Sequence, residues 1–154
     1  MKTVKGDLIQ MGKDNEVDII LHGCNCFCTM GAGIAAGIAK QFPDAALADN
    51  ETLRGDAGKL GTYTIGMHGR LTILNVYTQF NTSYHDKDVF DYTAFERALR
   101  KIAHRFGKWR IGLPLIGMGL AGGDPKRIMP MIESFALAVE LQGGSVTLVE
   151  WERT

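Results

Sequence analysis

Apolar and polar positions along the chain form blocks, and each block predicts a strand or a helix. Short apolar runs bounded by polar residues or glycine are typical of buried strands. Three such runs are present: 17–21, 109–116 and 145–151. Two further strand patterns, 61–65 and 71–77, flank a glycine-containing turn and predict a β-hairpin. The alternating segment 1–5 predicts a short edge strand.

Helical patterns lie between these strands. Residues 92–106 carry apolar side chains at helical spacing, and Gly107 ends the pattern. The segment 125–142 begins with an Asp-Pro pair that is typical of a helix start. The Ala-rich segments 35–42 and 45–53 favour two more helices. Strands that alternate with helices predict an α/β fold with helices on both faces of a sheet.

Two glycine loops follow predicted buried strands. The first contains Gly23, Gly31 and Gly33 and leads from strand 17–21 into a helix. The start of a helix exposes unpaired N–H groups at the positive end of the helix dipole, so such a loop is a potential phosphate site. The second glycine loop, 117–123, follows strand 109–116. Because ligands bind beyond the carboxyl ends of strands in open α/β sheets, we expect both loops to flank one crevice.

The motifs in these loops resemble those of macro domains. The first loop contains His22-Gly23-Cys24-Asn25 and then Met30-Gly31-Ala32-Gly33-Ile34-Ala35. Gly6-Asp7-Leu8-Ile9 lies near the start of the chain and Pro114-Leu115-Ile116-Gly117-Met118-Gly119-Leu120 near its end. The order and separation of the motifs are similar to those of the branch that includes terminal ADP-ribose protein glycohydrolases and yeast-type ADP-ribose-1''-phosphate phosphatases.

The resemblance implies a three-layer α/β/α fold with a mixed central sheet and a bound ADP-ribose or derivative. It places adenine at Asp7 and Leu8, with Trp151 packed on the adenine face. The distal ribose is expected at His22, Asn25 and Gln79. The residues expected around the diphosphate belong to the two glycine loops: Gly31, Ala32, Gly33, Ile34, Gly117, Met118, Gly119 and Leu120.

The expected activity is removal of a group from the distal ribose, with phosphate at the 1'' position as the first choice. Deacylation of ADP-ribosyl esters and non-catalytic reading of ADP-ribose are the alternatives. His22 and Asp124 are the titratable candidates for the chemistry, and loop N–H groups would stabilise developing charge. Asp124 precedes Pro125, and this pair favours capping of the following helix as the role of Asp124, with catalysis as the second possibility.

Gln79 departs from the macro-domain pattern. In the glycohydrolase branch a lysine at the best-matching position serves as a covalent nucleophile. A primary amide cannot form that ribose adduct. The lysine mechanism is therefore not expected for this chain, and a binding module gains support.

A dinucleotide-binding fold is a weaker alternative. Gly31-Ala32-Gly33-Ile34-Ala35-Ala36-Gly37 is one residue away from the GxGxxG fingerprint. No clear second strand with a terminal Asp or Glu follows it. The fingerprint therefore does not displace the macro-domain interpretation.

Composition limits the remaining classes. A chain of 154 residues, with 17 basic and 17 acidic side chains, predicts one domain, 1–154, with no overall field that attracts nucleic acid. No apolar run reaches the about 20 residues of a membrane span. An odd count of 3 cysteines without a signal peptide predicts a cytoplasmic protein. We also expect a monomer that uses no cofactor.

No metal site is expected either. His22, Cys24, Cys26 and Cys28 alternate along the chain. Residues two apart in an extended strand are about 6.6 Å apart, which is too far for ligands of one zinc ion. We interpret the three cysteines as small thiols that fill a loop.

Overall fold

The computed structural model describes residues 1–82, 89–119 and 121–152. Within these ranges the strands are β1 (Lys2–Gly6), β2 (Ile19–Cys24), β3 (Tyr63–His68), β4 (Leu71–Tyr77), β5 (Arg110–Leu113) and β6 (Ser145–Trp151). The helices are α1 (Leu8–Lys13), α2 (Gly33–Gln41), α3 (Pro43–Asn50), α4 (Tyr92–Phe106) and α5 (Pro125–Glu140), with a short 3₁₀ helix at Ala57–Lys59.

The strands form one mixed sheet in the order β1-β6-β5-β2-β4-β3. The neighbouring pairs are parallel except β3 and β4, which form the predicted antiparallel hairpin. The parallel pairs require crossover connections, which the helices supply. The predicted α/β class and mixed sheet are therefore confirmed.

Apolar side chains cover both faces of the sheet and make three layers. On one face Leu21 and Leu113 pack with Phe95 of α4 and Ile132 of α5. On the other face the cluster contains side chains from the sheet and from three helices: Ile20, Ile73, Leu8, Ile38 and Ala45. Alternation along β2 sends Ile20 and Leu21 to opposite faces, so this strand lies in the middle layer.

The structure departs from the sequence pattern at two places. Helix α1 was not predicted, and it forms because Asp7 caps its first turn and Leu8 is buried against the sheet. Strand β2 does not end at Leu21 but continues to Cys24, which pairs with Tyr77 of β4. The parallel ladder thus extends past the apolar run, and His22 lies inside the strand.

The helices described here contain no segment that is long and apolar enough to span a membrane.

Candidate functional site: a cavity between two glycine loops

A cavity of about 410 Å³ lies beyond the carboxyl ends of β2 and β5. Its volume is within the range of about 300–1,000 Å³ that is typical of small-molecule pockets. The lining residues come from both glycine loops and from the segment after β4: Gly23, Cys24, Asn25, Thr29, Gly31, Ala32, Gly33, Ile34, Ala35, Gln79, Thr82, Pro114, Leu115, Ile116, Gly117, Gly119 and Ala121. The structure therefore brings the two predicted loops together around one space.

The first loop is held in shape by the side chain of Asn25. Its Nδ2 donates to the Thr29 carbonyl oxygen at 3.2 Å and to Thr29 Oγ1 at 2.7 Å. Its Oδ1 accepts from the Phe27 N–H at 2.8 Å. Asn25 lines the cavity, and its amide also closes the turn. Its predicted contact with the distal ribose remains a prediction. A ligand would meet an amide that is already oriented by its neighbours.

The start of α2 faces the cavity without a capping side chain. Gly33, Ile34 and Ala35 line the space, and the N-cap residue, Ala32, offers no side-chain acceptor. The first N–H groups of an α-helix have no partner within the helix. Gly33 adopts φ +58°, a conformation that glycine enters at low cost. The first turn of α2 is thus able to donate hydrogen bonds to an anion.

The second loop brings its backbone close to the core. Gly117 has φ +77°, and a Cβ built there would lie 2.5 Å from the Phe90 ring. The Gly123 N–H donates to the Gly117 carbonyl oxygen at 2.7 Å and closes the loop. Gly117 and Gly119 line the cavity, whereas Met118 packs against the core and is not part of the lining. The predicted ligand residue Leu120 lies outside the described residues.

The segment after β4 forms the third side of the cavity. The Thr78 N–H donates to the Cys24 carbonyl oxygen, and the Cys26 N–H donates to the Phe80 carbonyl oxygen. These bonds join the segment to the first loop. Gln79 lines the cavity, and its Nε2 donates to the Asn81 carbonyl oxygen at 2.8 Å. The predicted Gln79 and Asn25 therefore lie in adjoining segments.

The structure argues against the predicted catalytic role of His22. The side chain is completely buried and does not line the cavity. Burial lowers the pKa of His22 to about 4, despite a hydrogen bond to Asn75 that opposes the shift. His22 follows Ile20 on the face of β2 that packs toward α2 and α3. It is therefore a neutral core imidazole.

Asp124 takes the structural role that was its alternative. Its Oδ1 accepts from the Lys126 N–H at 2.9 Å and caps α5. Its own N–H donates to the Tyr92 hydroxyl at 2.9 Å. Asp124 is not among the residues that line the cavity. The structure thus places neither catalytic candidate in the described lining of the cavity.

The residues predicted for adenine lie together at one end of the parallel pair β1–β6. Gly6 is paired with Trp151 in register, and the Trp151 side chain is 67% exposed. Asp7 follows Gly6 directly, and its Oδ1 accepts from the N–H groups of Ile9 and Gln10. Leu8 is buried in the core. All three predicted adenine residues lie outside the cavity lining.

The cavity is electrically neutral over the described part of its wall. Among the described lining residues Cys24 alone is titratable, and burial, followed by the charge of Asp49, raises the pKa of that thiol well above its usual value. Thr29 and Thr82 also line the cavity with their hydroxyl groups, although the sequence motifs did not indicate either residue. Both lie in polar loops, and no local pattern distinguishes a lining threonine from an exposed one.

Metal binding finds no support in the ranges 1–82, 89–119 and 121–152. These residues contain no group of three or more His, Cys, Asp or Glu side chains that could hold one ion. The prediction that the cysteines do not bind zinc remains a prediction.

A phage protein is related to this chain over its whole length. No protein-family model matches the chain. The sequence is 32% identical over 162 residues to an uncharacterised 17.5 kDa protein of the tk-vs intergenic region of Enterobacteria phage T4, and the match covers 99% of this chain and 97% of the phage protein.

Solved structures share the fold at lower identity. A macrodomain protein from Streptomyces coelicolor superposes with a TM-score of 0.70 at 22% identity, and the match covers 99% of each chain. The Thermosipho africanus DarTG structure, in complex with ADP-ribose, superposes with a TM-score of 0.73 at 17% identity. That match covers 97% of this chain and 42% of the DarTG chain. The fold of these structures is the macro-domain fold.

Proposed function

We propose that this chain, a macro domain from the family of the phage T4 protein, binds ADP-ribose in the cavity between its two glycine loops. The ADP-ribose is either free or linked to another molecule. The observation that carries the proposal is the wall of that cavity. It combines an uncapped helix start, two loops of small residues and neutral polar side chains. Such a wall suits a diphosphate flanked by two riboses.

The diphosphate would be held by N–H groups rather than by cations. The described lining has no Lys or Arg, so the negative charge of a ligand would be met by backbone dipoles and by the start of α2. Small residues at Gly31, Gly33 and Gly119 would allow the phosphates to approach the backbone. Asn25 and Gln79, in adjoining segments, would border the distal ribose.

Calorimetry with ADP-ribose, ADP-ribose-1''-phosphate, NAD and AMP tests the proposal. We expect ADP-ribose to bind in the micromolar range, about −8 kcal/mol on the affinity scale. NAD should bind more weakly, because its nicotinamide would crowd the distal end of the cavity. Equal or tighter binding of NAD would contradict this assignment and favour a dinucleotide site.

Hydrolysis of a group on the distal ribose is the second candidate. The observation that favours it is the set of neutral polar groups on adjoining parts of the wall, the side chains of Asn25, Gln79 and Thr82. They could orient a water molecule next to the 1'' position. None of them can take a proton from that water near neutral pH. A phosphatase reaction that used only these three side chains would rely on the phosphate of the substrate as the proton acceptor.

Release of phosphate from ADP-ribose-1''-phosphate distinguishes the enzyme from the binding module. The absence of a general base among the described lining residues favours a slow reaction, since such a base contributes about 10²–10⁴-fold to a rate. The same assay with ADP-ribosyl esters tests deacylation. No covalent ADP-ribosyl adduct should accumulate on Gln79. Turnover above about one per second would require a general base in addition to the groups on the described part of the cavity wall.

A further inference from the structure

A buried lysine lies beside the third cysteine of the first loop. Lys59, from the 3₁₀ helix, is 7% exposed, and its Nζ donates to Cys28 Sγ at 3.7 Å and to Thr52 Oγ1 at 2.7 Å. The ammonium group also lies 5.3 Å from the centroid of the Tyr77 ring. No carboxylate lies within 4.0 Å of it among the residues described. The buried Asp49 carboxylate belongs to the same cluster, where it accepts from the Tyr77 hydroxyl, but it does not pair directly with the ammonium group. The direct polar contacts of the Lys59 ammonium therefore include the sulfur of Cys28.

The three cysteines differ in surroundings. Cys24 and Cys26 are buried, and burial raises the pKa of both thiols. Cys28 is partly exposed and is the cysteine that the Lys59 ammonium contacts. Thiols in partly exposed, electropositive surroundings are the ones that react with oxidants, whereas buried apolar thiols are inert.

The sulfur of Cys28 also anchors the ligand loop. It lies 3.3 Å from Thr52 Oγ1 and 3.4 Å from the Asp49 carbonyl oxygen at the end of α3. Cys28 adopts φ +57°, which is unfavourable for a residue with a side chain. Thr29, the next residue, lines the cavity. The contacts of the sulfur therefore hold a strained residue directly before the part of the loop that would meet the ligand.

We propose that Cys28 and Lys59 form a peroxide-sensitive thiol–ammonium pair that regulates binding in the cavity, an inference that rests in part on the proposed function. The sulfur attacks one oxygen of hydrogen peroxide, the S–O bond forms and the O–O bond breaks. The departing hydroxide takes a proton and leaves as water, and the thiol proton is released, so the thiol becomes a sulfenic acid. The sulfur loses two electrons, and the peroxide gains them.

Lys59 assists this step through its charge. Its ammonium group lies within contact of the sulfur and can donate to the departing oxygen, which stabilises the negative charge that develops there. The added oxygen then occupies space that the contacts to Thr52 and Asp49 fill in the reduced protein. Loss of these contacts releases Cys28 from its strained conformation, moves Thr29 and lowers the affinity of the cavity for its ligand.

Peroxide treatment followed by dimedone trapping and peptide mass spectrometry tests the pair without any ligand. We expect labelling of Cys28 at least about tenfold faster than labelling of Cys24 or Cys26. In Lys59→Met, which keeps an unbranched stem but removes the charge, Cys28 should react about tenfold more slowly, while Lys59→Arg should stay within about threefold of the parent. Equal labelling of the three cysteines, or an unchanged Cys28 rate in folded Lys59→Met, would overturn the proposal.

Calorimetry with ADP-ribose before and after treatment tests the consequence for the cavity. We expect the affinity to fall at least about tenfold on oxidation and to return after reduction with dithiothreitol. The matched variant Cys28→Ser has no sulfur to oxidise, so its affinity for ADP-ribose, whatever its value before treatment, should not change on addition of peroxide. Oxidised Cys28 with unchanged affinity would refute regulation. If the untreated protein does not bind ADP-ribose, the proposed function is wrong. The relative labelling rates of the three cysteines, and their dependence on Lys59, still test the Cys28–Lys59 pair in that case.

Discussion

His22 and Asn75 form a hydrogen bond across the parallel pair β2–β4, with 2.6 Å between His22 Nε2 and Asn75 Oδ1, and both side chains are completely buried. Asn75 Nδ2 donates to the Ala45 carbonyl oxygen at 2.9 Å and to Thr64 Oγ1 at 3.0 Å. Because the amide nitrogen faces these acceptors, the Asn75 oxygen faces His22 and accepts from its Nε2–H. This network links β2, β4, β3 and α3, so it stabilises the fold rather than the chemistry of the cavity.

The His22 network predicts how stability depends on pH. The folded-state pKa of His22 is lowered to about 4 from an ordinary value of 6.5, so the unfolded chain binds more protons between these values. The contribution of His22 to stability should therefore be constant above about pH 6.5 and should fall as the pH drops toward about 4, by up to about 3 kcal/mol. Urea unfolding at a series of pH values measures this slope.

His22→Gln should remove the contribution of His22 to that slope, although it lowers stability at every pH by disturbing a buried hydrogen bond. The matched control is His104→Gln on the exposed part of α4, which should retain the slope. An identical slope in His22→Gln and the parent would contradict the buried neutral imidazole.

Substitution of Asp7 should change both the stability of the protein and its binding of adenine, and the two effects can be measured separately. Asp7→Ala removes the cap of α1 and should lower the free energy of unfolding by about 1 kcal/mol. It should also weaken ADP-ribose binding by about 1–3 kcal/mol if the carboxylate accepts from adenine. Asp7→Asn keeps an acceptor for the cap and serves as the control for stability. Ribose phosphate lacks adenine, so equal losses with both ligands would make Asp7 a purely structural residue.

Gly31 predicts a loss of binding without a loss of stability. A Cβ at Gly31 meets no atom within 4 Å, and Gly31 lines the cavity, so Gly31→Ala should fold normally but hinder the approach of a phosphate. We expect about a tenfold loss of ADP-ribose affinity, or about 1.4 kcal/mol, with an unchanged melting temperature. Calorimetry and thermal unfolding measure the two effects.

Gly143→Ala is the matched control for Gly31→Ala. A Cβ built at Gly143 also meets no atom within 4 Å, but its φ of +95° disfavours any side chain. Gly143 does not line the cavity and is distant in sequence from the residues that do. This variant should lose about 1 kcal/mol of stability and keep full affinity. Normal ADP-ribose affinity in Gly31→Ala would place the ligand elsewhere.

Substitution of Asp124 should lower stability without changing ligand binding. Asp124→Ala should lower the free energy of unfolding by about 1 kcal/mol, because the first turn of α5 loses its cap. Asp124→Asn should retain most of that stability. Neither variant should change ADP-ribose affinity or any phosphate release, which calorimetry and a phosphate assay measure. A rate that drops in Asp124→Asn while stability is kept would restore the catalytic hypothesis.

The cysteines of the first loop predict no response to a zinc chelator. Cys24 and Cys28 have protein partners, and no metal-binding cluster occurs in the described part of the chain. Incubation with a chelator should leave the melting temperature and ADP-ribose affinity unchanged. A large fall in melting temperature would show that these side chains bind metal.

The sequence by itself determined the elements whose pattern is local. Helix α4 has the predicted bounds, 92–106, because its apolar positions follow one helical face, and β6 has the predicted bounds, 145–151, because an apolar strand follows a glycine pair. The two glycine loops were also predictable, since glycine between a strand and a helix marks backbone that can approach a ligand. These features depend on residues close together in the chain.

Only the tertiary structure decided which polar side chains reach the cavity. His22 directly precedes the first loop, yet pairing of β2 with β4 carries the strand on to Cys24 and turns the imidazole into the core beside Asn75. Successive residues of a strand point to opposite faces, so the face of His22 depends on how far β2 extends. The apolar run ends at Leu21 and does not indicate that β2 pairs with β4 as far as Cys24. The site of Lys59 beside Cys28 likewise required two segments 31 residues apart to meet. Such contacts arise from packing between distant segments, which no local pattern contains.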